Sequence, residues 1–86
     1  MAYRLSLKRS VGKEMARLHP NVSERVMAVF KVLPTTPYPE NSKQLQGYAI
    51  YAIRVGDYRI LYEVDEEEEK ITVLRVRHRR DVYRDL

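Results

Sequence analysis

The chain has 86 residues, 44% hydrophobic and 33% charged, with a formal net charge of +4 and no cysteine. So short a chain buries a modest core, which leaves room for a surface site or shallow groove and excludes an elaborate multi-pocket enzyme. Disulfides and thiolate metal sites are excluded too, and the two histidines, His19 and His78, are too far apart in sequence for a recognisable metal motif.

Tyr3 to Lys8 alternates as a first strand, with Tyr3, Leu5 and Leu7 on one side. Ser10 is placed to cap a short helix in which Val11, Met15 and Leu18 recur at helical spacing. His19 marks its end, because the residue before a proline is pushed out of the helical region. A second helix is predicted from near Asn21. Its apolar stripe is Val22, Val26, Val29, Phe30 and Leu33, and Pro34 stops it. The two helices read as a helical hairpin laid over a sheet. Residues 34–46, PTTPYPENSKQLQ, hold three prolines and no clear period, which predicts a long connection without regular structure. Lys43 lies within it, in reach of a phosphate.

The stretch from Arg54 to Tyr83 carries the most information. Gly56 and Asp57 separate two runs rich in β-branched and aromatic residues, and a two-residue connection with glycine first suits a primed hairpin turn. That turn sets a register in which Val55 faces Tyr58, Arg54 faces Arg59, Ile53 faces Ile60 and Tyr51 faces Tyr62. One face then holds Ala49, Tyr51, Ile53, Val55, Tyr58, Ile60, Tyr62 and Val64, fit to cover a core. The other holds Ile50, Ala52, Arg54, Arg59, Leu61 and Glu63. A third strand alternates Ile71, Val73, Arg75, Arg77 against Thr72, Leu74, Val76, His78. Burying unpaired arginines is costly, so Leu74 and Val76 are expected toward the core, and Arg75 and Arg77 beside Arg59. Ile71 and Val73 would then share the arginine face, and Arg75 is expected to pair with Glu63. A small surface with four arginines is suited to a polyanion.

Five of the twelve acidic residues form the run Asp65 to Glu69, read as a solvated turn between the second and third of these strands, so the remainder is more basic than the total suggests. No apolar run approaches the roughly 18 residues of a membrane span, and MAYRLSLKRS lacks the apolar core of a signal peptide. A cytoplasmic protein is expected, with no membrane partner, no metal and no small-molecule cofactor.

Leu45 to Gly47 leading into the sheet, IRVGDYRILYEV from Ile53, and VLRVRHRRDVY from Val73 to Tyr83 together resemble the RelE/ParE superfamily of toxins from prokaryotic toxin–antitoxin modules. The resemblance covers nearly the whole chain and implies a single α+β domain over residues 1–86. Its fold would be an N-terminal strand and helical hairpin on a mainly antiparallel sheet of about four strands, with a short C-terminal helical segment in DVYRDL. RelE-like members cleave messenger RNA in the ribosomal A site. ParE-like members inhibit DNA gyrase by binding it, and a degenerate toxin would only bind its antitoxin. The implied partners are a RelB-like antitoxin, the ribosome and mRNA.

Metal-free RNA cleavage needs the 2′-hydroxyl to attack the adjacent phosphate, a group to take its proton, a donor for the 5′-oxygen, and cations for the charge gathered on phosphorus. Arginine serves the last need and is a poor base. By resemblance, Arg54 and Arg59 bind and stabilise phosphate, Arg79 is the C-terminal catalytic arginine with Arg77 as the competing alignment, and Tyr83 orients the nucleotide or aids proton transfer. Arg75, Arg77, His78 and Lys43 are expected to contact RNA. RelE proper has two lysines where this chain has Ala52 and Arg54. Histidine is the residue type best suited to replace a missing acid or base near neutrality, which draws attention to His78. In the predicted register, however, His78 turns toward the core side.

Overall fold

Pro20 decides where the helical layer breaks. Its ring fixes a helical φ and lacks the N–H that the first turn leaves unused, so it suits the first helical position. The computed structural model describes residues 2–45, 47 and 49–84. The elements are β1 (Arg4–Leu7), α1 (Arg9–Ala16), α2 (Pro20–Val32), β2 (Ser42–Gln44), β3 (Ile50–Val55), β4 (Tyr58–Asp65) and β5 (Lys70–His78). His19 is extended and caps α2, its Nδ1 accepting the Asn21 N–H at 3.2 Å. Thus α2 starts at Pro20, and α1 ends at Ala16, short of His19.

The other end of α1 departs from expectation as well. Lys8, not Ser10, is the residue before the first turn, because its N–H still bonds the Val73 carbonyl at 2.9 Å while its own carbonyl accepts from Val11. The chain therefore passes from strand to helix with Lys8 alone between, serving both.

The sheet runs β1-β5-β4-β3-β2, with β1 parallel to β5 and every other pair antiparallel. Among the described residues it has five strands, one more than expected, since β2 forms inside the proline-rich connection by pairing Ser42, Lys43 and Gln44 with Ile53, Ala52 and Tyr51. Prolines at 34, 37 and 39 interrupt the pattern before β2 but leave its three residues free to pair. The β3–β4 hairpin has the predicted register, Val55 to Tyr58 through Tyr51 to Tyr62. Gly56 takes φ +60° while Asp57 stays out of the left-handed region, the pattern of a primed turn with glycine first.

Strand β5 corrects the predicted alternation. Tyr58, Arg59, Ile60 and Leu61 face His78, Arg77, Val76 and Arg75; the register then shifts, and Tyr62, Glu63 and Val64 face Val73, Thr72 and Ile71. Leu74 is the extra residue of a β-bulge. Ile71 and Val73 thus join Val76 in the main core rather than the arginine face, and Leu74 goes to the opposite side with Ala52, Leu61 and Val82. The helices contribute Val11, Val26 and Phe30 to the main core, joined by Leu33 just beyond α2, over Ile53, Val55, Ile60 and Tyr62. Removing buried methylenes from such a core costs the transfer energy and leaves a cavity. We expect Ile60→Ala to lower the unfolding free energy by about 2–5 kcal/mol in urea, with an unchanged denaturant slope.

On the far side, Val82 returns over Ala52 and Leu61. The segment carrying it makes a single helical turn, with the N–H groups of Asp81 and Val82 both reaching the His78 carbonyl, and no regular helix forms among its described residues. Asp85 and Leu86, the rest of the predicted C-terminal helical segment, lie outside the described residues.

The acidic turn does more than meet solvent. Glu66 accepts the Tyr3 hydroxyl at 2.7 Å and also the Tyr38 hydroxyl, so one carboxylate ties β1 and the proline-rich connection to the β4–β5 turn. The two phenol bonds, that from Tyr3 first, hold the Glu66 carboxyl below its ordinary range. Tyr3 is raised chiefly by the same bond, and Tyr38 by burial and then by the bond. A lowered carboxylate stabilises the fold above its unfolded value of 4.5, and that contribution is lost as pH falls through the lower folded value. Raised phenols contribute below 10.0 and lose the contribution as pH rises through the folded values. Glu66→Ala is therefore expected to lower the thermal midpoint across neutral pH, with the difference from wild type closing in strong acid and strong base, measured by circular dichroism melts.

Candidate phosphate-binding face

Two rows of residues cross the sheet on the side away from the helices. Arg54, Arg59 and Arg77 are successive register partners on β3, β4 and β5. The neighbouring row is Lys43, Ala52, Leu61 and Arg75. The structure thus brings Arg54, Arg59 and Arg77 level with one another and sets Lys43 on the edge strand, one row away.

Each arginine finds a different partner. Arg54 Nε donates to the Gly56 carbonyl at 3.1 Å, and Arg59 Nη1 donates to the carbonyls of Tyr58 and Gly56 at 3.2 and 3.5 Å. Among the described residues, neither forms an ion pair. Directly opposed like charges cost on the order of 0.2–1 kcal/mol per pair, and the turn carbonyls offset this only in part. Neutral carbonyls leave the positive charge of both guanidiniums uncancelled, which is the condition for binding an anion between them. Arg77 is paired with Glu14 of α1.

Arg75 differs from expectation. Its Nη1 donates to the Val82 carbonyl at 2.8 Å and to the Arg84 carbonyl, not to Glu63. It acts as a clamp on the C-terminal segment, giving a donor to two of its carbonyls. Arg79 lies beyond β5, exposed, with its backbone N–H bonded to the Asp57 carbonyl at 2.8 Å. Tyr83 follows the buried Val82 and is 46% exposed, its ring free to meet a ligand.

His78 pairs with Tyr58 at the end of β5, the rings 5.6 Å apart and edge to face, on the helix side of the sheet. Its Nδ1 accepts the Arg80 N–H at 3.2 Å, which assigns the proton of the neutral ring to Nε2. It lines an open cleft of about 400 Å³ with Glu14, Arg17, Leu18, Tyr58 and Arg77. His78 and the Arg54–Arg59 pair are therefore on opposite sides of the sheet, and Arg77, at the strand end, borders both. No group of three or more potential metal-ligating side chains occurs among the described residues, and no described helix is long and apolar enough to cross a membrane.

Neither Glu14 nor Val82 is among the candidates named from the sequence. Glu14 had a legible signal: it falls within the apolar stripe of α1, three residues after Val11 and four before Leu18, where a carboxylate needs a donor. Val82 had none, since a single valine between charged residues acquires its place only by folding back.

A helical pair packed on a mixed five-stranded sheet, the fold that carries this arginine row, is shared with solved toxin–antitoxin structures. The fold is similar to the toxin in the archaeal RelE–RelB complex from Pyrococcus horikoshii OT3, with TM-score 0.83 and 27% identity over 92% of this chain and 97% of that one. It is also similar to the RelBE2 toxin–antitoxin complex of Mycobacterium tuberculosis, with TM-score 0.79 and 25% identity over 91% of this chain and 99% of that one. In sequence it is 30% identical to Toxin RelG of Mycobacterium tuberculosis, over 98% of this chain and 99% of the relative. Residues 6–83 match the family described as the ParE toxin of type II toxin–antitoxin system, parDE, and the chain belongs to that family, as a toxin of the RelE/ParE superfamily.

The Arg75 clamp makes a prediction of its own. Arg75→Ala is expected to cost about 1–3 kcal/mol, since hydrogen bonds from a charged donor are lost. Amide exchange should accelerate selectively around Val82 while β3 and β4 keep their protection; uniform acceleration would refute a local clamp.

Proposed function

We propose that this chain is a ribosome-dependent endoribonuclease that cuts mRNA in the A site and is held inactive by a RelB-like antitoxin. The observation that carries the reading is the row of three register-paired arginines, two of them bound, among the described residues, only to backbone carbonyls. The likeness to Toxin RelG and to the RelE–RelB and RelBE2 complexes supports it.

In this mechanism the scissile phosphate sits against Arg54 and Arg59. Attack by the 2′-hydroxyl gathers charge on the non-bridging oxygens, and guanidiniums aimed there stabilise that charge more than the ground state. The register favours Arg77 over Arg79 as the third cation, because Arg77 is the strand partner of Arg59 and Arg79 is past the strand end. Tyr83, exposed beside the C-terminal clamp, stacks on or hydrogen-bonds to the nucleotide. Lys43 at the edge and Arg79 in the turn extend the electrostatic track for RNA, while Arg75 acts through the C-terminal segment. His78 lies across the strand end from Arg54 and Arg59, so the proton acceptor is sought first at Tyr83 or among groups of the ribosome and message. The antitoxin covers this face with carboxylates of a segment that folds on binding. The action is cytoplasmic and the unit is the single domain of residues 1–86.

Gyrase binding is the second reading, favoured by the ParE description of the matched family. Induction followed by mapping of message ends separates the two: the nuclease reading expects cuts at fixed positions within translated codons, and DNA damage with intact messages would establish the alternative. Arg54→Ala and Arg59→Ala should each reduce cleavage by roughly 10²–10³-fold with the fold retained by circular dichroism.

A further inference from the structure

From the contacts of Glu14 we infer that it is a positioning residue for Arg77, holding the guanidinium so that its terminal fork presents to phosphate. The β1–β5 pairing ends at Leu7 and Val73, with a last bond from the Lys8 N–H to the Val73 carbonyl. Beyond it the edge of β5 has no strand partner among the described residues, and its backbone donors need acceptors from elsewhere. Glu14, on the helix that follows β1 directly, supplies one: Oε1 accepts the Val76 N–H at 3.0 Å. Its other oxygen, Oε2, accepts from Arg77 Nε. The carboxylate is held at both ends, with the Glu14 side chain only 13% exposed.

The geometry at Arg77 gives this contact its meaning. Only Nε is used by contacts among the described residues, so Nη1 and Nη2, the pair that grips a phosphate bidentately, remain available. A long side chain at a strand end samples many rotamers when untethered, and fixing it beforehand removes that cost from the step in which phosphate binds. Glu14 tethers it through the nitrogen least needed for an end-on grip.

Two simpler roles make different predictions. If Glu14 only satisfied the strand edge, Glu14→Gln would be silent, since the amide oxygen can still accept from Val76. If it only added negative charge near the site, Glu14→Gln would tighten RNA binding and raise activity. Positioning predicts that Glu14→Gln lowers kcat by roughly 10- to 100-fold without lowering KM, whereas relief of a repulsive charge would lower KM.

The kinetic arm rests on the nuclease reading and uses the purified chain with message-programmed ribosomes. Arg77→Ala should remove little further activity from Glu14→Gln; an unchanged kcat, or fully additive losses, would overturn the proposal. A second arm is independent of cleavage. Inorganic phosphate is titrated while the Arg77 side-chain ¹⁵N resonances are followed, and the wild-type resonances are expected to shift at lower phosphate than those of Glu14→Gln. Arg77 resonances that ignore phosphate in the wild type, or respond equally in both proteins, overturn the positioning role. A wild type that cuts no message yet shows the expected Arg77 response overturns the nuclease reading alone.

Discussion

Strand β5 must serve two faces with one short run of residues. Strict alternation would place Ile71, Val73, Arg75 and Arg77 together, forcing either two arginines into the core or two β-branched residues out of it. The bulge opposite Leu61 and Tyr62 removes the conflict by adding one residue, after which Ile71 and Val73 face the helices while Arg75 and Arg77 face away. Much else depends on that shift. It brings Arg77 level with Arg59 and frees Leu74 to line the seat of Val82, while Arg75 comes within reach of the C-terminal carbonyls.

The basic row is tolerated because its charges are handled locally and unequally. Arg75 is spent on the backbone of the C-terminal turn, Arg77 on a carboxylate, and Arg54 and Arg59 on the carbonyls of their own hairpin. Carbonyl acceptors restrain the last two without cancelling their charge. Stability is drawn mainly from the opposite side of the sheet, where the helices close over Ile53, Ile60 and Tyr62. A sheet with its main core on one face can therefore keep a site under mutual repulsion on the other, provided the core face is well packed.

Acidic and basic features sit at opposite ends of β4. The Gly56 turn adjoins the arginine row, whereas Glu66 lies past Asp65, about 23 Å from Arg59 along the strand at ~3.3 Å per residue. That distance exceeds the screening length of ordinary salt, so Glu66 can staple Tyr3 and Tyr38 without weakening an anion site at the far end.

Residues close in sequence determined what could be read from the chain. The Gly56–Asp57 turn specified the β3–β4 register and the Arg54–Arg59 pair, because a two-residue connection leaves one way to count outward. Pro20 and Pro34 located the helices to within a few residues, and HRRDVY with GDYR carried the family resemblance. Other features needed the tertiary structure. The bulge in β5 is a compromise between faces that exist only once the helices are packed, and β2 needs β3 as a neighbour. The partners of Glu14, Glu66 and Arg75 are separated from them by many residues or by a chain reversal. Local turn chemistry and hydrophobic period are written in neighbouring residues, whereas a hydrogen bond spanning 62 residues, such as that from Val76 to Glu14, is decided only when the sheet and helix meet.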